Sequence, residues 1–325
     1  MKPKPTQKPI HTKRNKKMFY EKVFQRYIMP FLDFGFKKLF GEECNKDLLL
    51  DFLNELLYEE QGRIVSLSYL NTEQLGLTRD SRNAVFDIYC ENERGEKFIV
   101  EMQNVEQKFY KDRTLFYSTF PIIRQAPKRG FWSFELKAVY VIAILNFVFE
   151  ENKDDLEKYR YDVKLTNIKT HKVFYDKLTF IYLEMPKFTK ELHELETRFE
   201  KWMYILNNIG ALDKFPDELR DYIFEKIFAE AELVALTQNE YAQYMTNLKV
   251  FRDVSNCTDF AIEKAEIKGE EKGMKIGIKK GMKKGRAEEK VQIAINSHKA
   301  GIPIKTIATI TGLSLAHIKE ILQLS

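Results

Sequence analysis

The residues of this sequence best placed to do chemistry sit on one short hairpin. It runs Val85-Phe86-Asp87-Ile88-Tyr89-Cys90, through Glu91 to Glu96, into Lys97-Phe98-Ile99-Val100-Glu101-Met102-Gln103. Glu93-Arg94-Gly95 fits a three-residue loop, with Gly95 taking the left-handed conformation that such loops require. Counting back from that tip sets Asn92 against Glu96, Glu91 against Lys97, Tyr89 against Ile99 and Asp87 against Glu101. In this register Ala84, Phe86, Ile88, Cys90, Phe98, Val100 and Met102 form an apolar face, while Asp87, Glu101 and Gln103 share the other. Aspartate is depleted in strands, and like charges directly opposite each other weaken a ladder. At ~4 Å and an effective dielectric of about 20 the repulsion is on the order of 4 kcal/mol, large against the stability of a domain. A divalent cation offsets it. Mg²⁺ (or Mn²⁺) suits one or two carboxylates completed by phosphate oxygens and water. A solvated strand face with both acids screened by water is the competing reading of the same residues.

The surrounding pattern supplies the elements that must position this hairpin. Residues 47–58 carry Leu48, Leu49, Phe52, Leu53, Leu56 and Leu57 at helical spacing, and Gln61-Gly62 ends that helix. Residues 63–70, 84–90 and 98–102 read as strands. Residues 105–126 read as a helix, with Phe109, Arg113, Phe116, Tyr117 and Phe120 three or four apart. Residues 137–147 form a nearly continuous apolar run, as in a strand buried on both faces. Strands are expected at 161–165, 172–175 and 178–183, then helix from 189 to about 260. The order is an αβββαβ core with a mixed sheet, an α/β class, followed by a helical C-terminal half.

Composition narrows the function classes. With 325 residues, 44% of them apolar, the chain has enough material for a substantial core. The net charge of +5 is unevenly placed. No acid precedes Glu21, whereas Lys2, Lys4, Lys8, Lys13, Arg14, Lys16 and Lys17 are basic, and Pro3, Pro5 and Pro9 keep that arm extended. Such an arm suits a polyanion or serves as a solubilising tail. No apolar run reaches the ~20 residues of a membrane helix, and no signal peptide is recognisable, so a cytoplasmic location with no membrane partner is expected. Cys44, Cys90 and Cys257 have no paired spacing, which argues against disulfides and a thiolate zinc site. The five histidines have no partner spacing either.

Towards the C-terminus Gly269, Gly273, Gly277, Gly281 and Gly285 recur every four residues among lysines. On a helix they form one slowly drifting face open to a second backbone, a route to a homo-oligomer; a flexible charged linker is the alternative, since each glycine costs ~1 kcal/mol of helix propensity. Three short helices are expected at 291–298, 304–310 and 315–322, with Gly312 as a stop and Ser314 as an N-cap. The expected division is a basic arm at 1–28, the core at 29–188, a helical region at 189–262, the glycine and lysine tract at 263–290, and a small module resembling a helix-turn-helix at 291–325.

Taken together and in order, these motifs carry a resemblance. Asp87, thirteen residues, then Glu101-Met102-Gln103 resembles the Asp followed by Glu-x-Lys of the PD-(D/E)XK nuclease superfamily, whose restriction-endonuclease-like core has the element order above. The sequence is most similar to its recombination-promoting nuclease and transposase family. The similarity lies in Asp33-Phe34-Gly35-Phe36-Lys37-Lys38-Leu39-Phe40-Gly41, Phe52-Leu53-Asn54-Glu55-Leu56-Leu57, Ile99 to Gln103, Arg113 with Tyr117, Glu184-Met185-Pro186-Lys187-Phe188, and the glycine tract. The resemblance implies a Mg-dependent endodeoxyribonuclease acting on DNA, with Asp87 and Glu101 as metal ligands, Gln103 positioning water or phosphate, and Glu55 as a further carboxylate. It places Lys37, Gln107, Lys111 and Arg113 where cations and amides meet a DNA backbone. Phe86 stands in place of the signature proline, and Gln103 in place of the lysine. A neutral amide can hydrogen-bond but cannot offer the charge a lysine does. The rival readings are a DNA-binding protein that retains the fold without cleavage, and an oligomeric scaffold built on the glycine tract.

Overall fold

The computed structural model describes residues 25–75, 82–127 and 129–323. The basic arm therefore lies, up to residue 24, outside the described residues. The described residues form two compact units that divide between Phe251 and Arg252.

In the first unit α1 (Asp33–Phe40) and α2 (Lys46–Gln61) lead into β1 (Leu67–Tyr69), β2 (Glu73–Gln74), β3 (Ala84–Val85), β4 (Ile88–Asn92) and β5 (Lys97–Gln103). Next come α3 (Tyr110–Arg124), β6 (Val139–Leu145), β7 (Arg160–Thr166) and β8 (Val173–Glu184), then α4 (Arg198–Asn208) and α5 (Tyr222–Ala231). A long helix α6 (Gln238–Lys299) begins in this unit. The main sheet has six strands in the order β1-β4-β5-β6-β8-β7. β5, β6 and β8 run parallel and the outer pairings are antiparallel. The architecture is thus the α/β, mixed-sheet, restriction-endonuclease-like one that the pattern predicts. Among the described residues no helix is long and apolar enough to cross a membrane.

The alternation of β5 splits the interior in two. Phe98, Val100 and Met102 join the core built on α1, α2, α4 and α5, around Phe36, Leu53, Trp202 and Phe224. Ile99 points to the other face, where Tyr110 and Phe120 of α3 cover Tyr89, Val141, Ala143 and Tyr182. β6, central and parallel on both sides, is buried at every position, as its continuous apolar run requires.

Four details depart from expectation. The stretch 84–90 is not one strand: Phe86 gives its N–H to the Thr72 carbonyl at 3.0 Å, β3 pairs with β2 rather than with β5, and Ala84 and Phe86 fall on the α3 face. Val173–Glu184 form one strand: β7 pairs with it on both sides of the expected break, shifting register by a bulge opposite Asp176 and Lys177, and β6 pairs with it from Leu178 onward. The 189–260 region is interrupted by short 3-10 turns at Ile209–Ala211, Asp217–Leu219 and Leu233–Ala235. The glycine tract takes the helical one of its two readings, but as part of α6, which runs on to Lys299 with no separate helix at 291–298; a side chain at any of its five glycines would meet nothing within 4 Å.

The second unit closes with α7 (Ile304–Thr311) and α8 (Leu315–Ile321). Gly312, left-handed at φ 68°, ends α7, and the Ser314 hydroxyl accepts the His317 N–H at the start of α8. Ile307 and Ile318 pack on Ala294, which belongs to the end of α6 rather than to a separate short helix.

After β8 the chain is fixed by a sealed ion pair. Lys187 Nζ lies 2.8 Å from Glu184 Oε2, with side-chain exposures of 4% and 0%. The ammonium directs its N–H groups to the Asn152 and Lys158 carbonyls and the Tyr161 hydroxyl. Glu184 Oε2 therefore meets its charge rather than an N–H, while Oε1 accepts from Phe149 N–H and Asn152 Nδ2. Removing one partner strands the other charge in the interior. Lys187→Met is expected to lower stability by about 3–5 kcal/mol, and adding Glu184→Gln should recover part of it. Urea unfolding of both variants checks this; a single variant within about 1 kcal/mol of the parent would show that water reaches the joint.

Candidate active site

The hairpin folds in the predicted register: Tyr89 pairs with Ile99, Glu91 with Lys97, and the ladder ends at Ile88 with Val100. Gly95 is left-handed at φ 80°. One residue beyond the ladder, Asp87 and Glu101 exchange hydrogen bonds with each other's strand. The Asp87 N–H donates to Glu101 Oε1 at 3.2 Å, and the Met102 N–H donates to Asp87 Oδ2 at 2.8 Å. Asp87 thus sits at a bend just outside the strand, held by backbone rather than opposed squarely within a ladder.

Burial sets the electrostatics. Glu101 is 5% exposed, on the face covered by α3. Burial first, and then the charge of Asp87, push its carboxyl up to about 8, against the smaller pull of the Asp87 N–H, Arg113 and Lys37. Asp87 is also raised, by burial above all, partly countered by the Met102 N–H and by Lys37 and Arg113. The second oxygen of each carboxylate has no hydrogen-bond partner among the described residues.

Two further buried polar atoms lie beside the pair. The Tyr110 hydroxyl and Arg113 Nε make no well-aligned hydrogen bond among the described residues, although the two side chains are close enough to interact and the guanidinium lies over the Tyr110 ring at 4.8 Å and the Tyr117 ring at 5.7 Å. Burial raises the Tyr110 phenol, and the Glu101 charge adds to it. Buried groups in this condition are uncommon. Arg113 Nη2 donates to Gln103 Oε1 at 2.5 Å and Nη1 to Gln107 Oε1 at 2.7 Å, while Gln103 Nε2 donates to the Val105 carbonyl at 3.0 Å. Gln103 is therefore locked, and it brings a guanidinium to the place where its own side chain carries no charge.

The remaining candidates separate. Lys37 stands with Asp33 in a half-exposed ion pair of 2.6 Å, close enough for both to act on the carboxylates. Lys111 is committed elsewhere, to Glu151 and over the Phe149 ring at 4.4 Å. Glu55 does not join the acids. It lies 4.0 Å from Arg198, whose guanidinium binds Asp51 and Asp221, and burial and the Asp51 charge raise its carboxyl. Its helix position turns it to α4, so no group of three or more acid, histidine or cysteine side chains that could hold a metal occurs among the described residues. Tyr110 escapes a reading by spacing altogether: an aromatic on a helix reads as core until its hydroxyl is known to lack a well-aligned partner.

A family model described as PD-(D/E)XK nuclease family transposase matches residues 30–261. No curated protein and no solved structure matches the chain.

The raised carboxyl of Glu101 fixes the sign of a pH effect. Between about 4.5 and about 8 the folded protein holds a proton that the unfolded chain has released. Stability of the metal-free protein therefore falls as pH rises through that window, by at most about 1.4 kcal/mol per unit. Glu101→Gln removes the titrating group and should flatten the curve. Urea unfolding in EDTA at several pH values tests it, and equal slopes in the parent and Glu101→Gln would rule the assignment out.

Proposed function

Because the chain belongs to the PD-(D/E)XK nuclease family transposases, we propose that it is a divalent-metal-dependent endodeoxyribonuclease, hydrolysing DNA phosphodiesters in recombination or at mobile elements. The observation that carries this reading is the pair of half-buried Asp87 and buried Glu101, each with an oxygen unclaimed among the described residues, beside the Tyr110 hydroxyl and Arg113 Nε.

The donor set fits a hard cation. Glu101 keeps its proton because burial and the Asp87 charge oppose a second negative charge there; a shared cation removes that opposition and lets both ionise, and Mg²⁺ or Mn²⁺ accepts such a set with its other positions left to water and phosphate. The Met102 carbonyl faces the same edge of β5 as its N–H, towards Asp87, and is suited to complete the set. When bound, such an ion supplies Lewis acidity to the phosphodiester and acidifies water. In this reading Asp87 and Glu101 hold the ion, and α3 excludes bulk water from Glu101. Gln103 orients water or a phosphate oxygen through its amide. Arg113, anchored on Gln103 and Gln107, offers the positive charge that the amide lacks. Lys37 meets the DNA backbone at the rim. The amide at Gln103 also favours a second reading, a DNA-binding protein that keeps the fold without cleavage. Self-association we assign to the open glycine face of α6.

Plasmid nicking with Mg²⁺ or Mn²⁺ separates cleavage from binding alone. Asp87→Asn should abolish nicking while leaving DNA binding, which draws on basic residues elsewhere. Mg²⁺ should raise the melting temperature of the parent and do much less for the variant, since a ligand of the native state stabilises by RT ln(1 + [L]/Kd). Nicking by Asp87→Asn at the parent rate would remove Asp87 from the site. For the glycine face, glutamine at Gly273, Gly277 and Gly281 should lower the mass measured by light scattering; an unchanged mass would show that no close contact forms there.

A further inference from the structure

The end of the sheet farthest from the acid pair carries flat rings in water among unpaired cations. Two connections meet there. One leads from α3 to β6 and holds Arg129, Phe131, Trp132 and Phe134; the other is the β7 to β8 hairpin, with Ile168, Lys169, His171, Lys172 and Phe174. Both protrude past the paired starts of β6 and β8, Val139 and Leu178, and Lys177 Nζ ties them by donating to the Leu136 carbonyl at 2.9 Å.

Three of these rings are left in water. Phe131 is 96% exposed, Phe174 80% and Phe134 77%, although burying such a side chain is worth about 1.5–3 kcal/mol. Phe134 adopts a left-handed backbone at φ 61°, a conformation that costs a bulky residue about 1–2 kcal/mol, and its ring lies 4.8 Å from that of Trp132. His171, at φ 54°, is left-handed at the hairpin tip.

The charges indicate what covers the rings. Arg160 pairs with Asp162, Lys164 with Glu60, and Lys137 is within 3.9 Å of Glu135. Arg129, Lys169 and Lys172 have no ionic partner among the described residues, against Asp176 in the same condition. Exposed rings interleaved with cations suit a polyanion that itself has flat apolar faces. A duplex hides its base faces, whereas an unpaired strand exposes them, and stacking on aromatic side chains takes any base.

We propose that this end of the sheet is a stacking platform for an unpaired DNA strand. The choice of DNA rests on the nuclease reading; the platform itself does not depend on cleavage. Glu101 is level with Ala143 and Tyr182 across the sheet, so at about 3.3 Å per residue Phe174 lies about 26 Å further along the strand direction than the acid pair. A strand held here runs clear of the cutting site.

Trp132 supplies a direct readout, because the other of the two tryptophans, Trp202, is fully buried. Titrating the full chain with an oligothymidylate of about twenty nucleotides, longer than one binding site, should quench tryptophan fluorescence, and Trp132→Phe should lose that quench. Phe131→Ala with Phe174→Ala should weaken binding by about thirtyfold or more. Lys169→Ala with Lys172→Ala should reduce the salt slope by about 1.4. Absence of quenching together with unchanged affinity in the phenylalanine variant overturns the platform. So does a solution mass that falls in that variant while oligothymidylate binding stays the same, which assigns the rings to a second copy. Plasmid nicking on the same preparations keeps the two ideas apart: nicking with neither quenching nor a loss of affinity in the phenylalanine variant refutes the platform alone, and quenching without nicking refutes the nuclease alone.

Discussion

The first unit turns on an exchange between two strands at the point where their ladder stops. Asp87 gives its N–H to the carboxylate of Glu101 and takes the N–H of Met102 in return. A normal ladder would have used those groups on carbonyls, so β4 cannot extend towards β3 in the same sheet. The chain must bend, Phe86 must swing to the α3 face, and there it packs edge-on against Tyr89, Tyr117 and Phe120. The bend that breaks the strand and the packing that seats α3 are one event. Once α3 is seated, Glu101 is out of water and Arg113 lies across the site.

How far this could be read beforehand follows from which signals are local. The register was legible because a left-handed Gly95 fixes the tip and alternation fixes the faces, both short-range properties. β6 was legible from its uninterrupted apolar run. The break at Phe86 was not, since it depends on Thr72 and on the Glu101 side chain, neither visible in a period-two pattern. The burial of Glu101 was not either, because it comes from Tyr110, Arg113 and Tyr117 on an element that only tertiary packing brings over it. Glu55 shows the opposite failure. A motif shared with a family put it near the acids, but Arg198, more than a hundred residues further along the chain, provides a partner on another helix. The rings of Phe131 and Phe134 carry no periodic signal, being in a connection, and that of Phe174 lies at the start of β8 beyond the reach of β6.

A polar network of this kind is worth more as a specifier than as a source of stability. Arg113 bonds two amides and faces two tyrosine rings while its Nε makes no well-aligned hydrogen bond among the described residues. An apolar core at this place would be easier to satisfy. The chain keeps an arrangement that costs stability where its chemistry is concentrated, and surrounds it with two well-filled cores that can bear it.

The sealed pair of Glu184 and Lys187 has a consequence for the medium in which the protein works. Mobile ions screen charges they can approach, with a Debye length of about 8 Å at physiological strength, and act far less on a pair enclosed by protein. The half-exposed contact of Asp33 with Lys37 and any grip on a phosphate backbone lie on the screened side of that division; the joint that closes β8 onto its following turn lies on the other. Raising the salt should therefore release nucleic acid long before it loosens the frame, so that letting go of DNA and losing the fold are separate transitions of the same molecule.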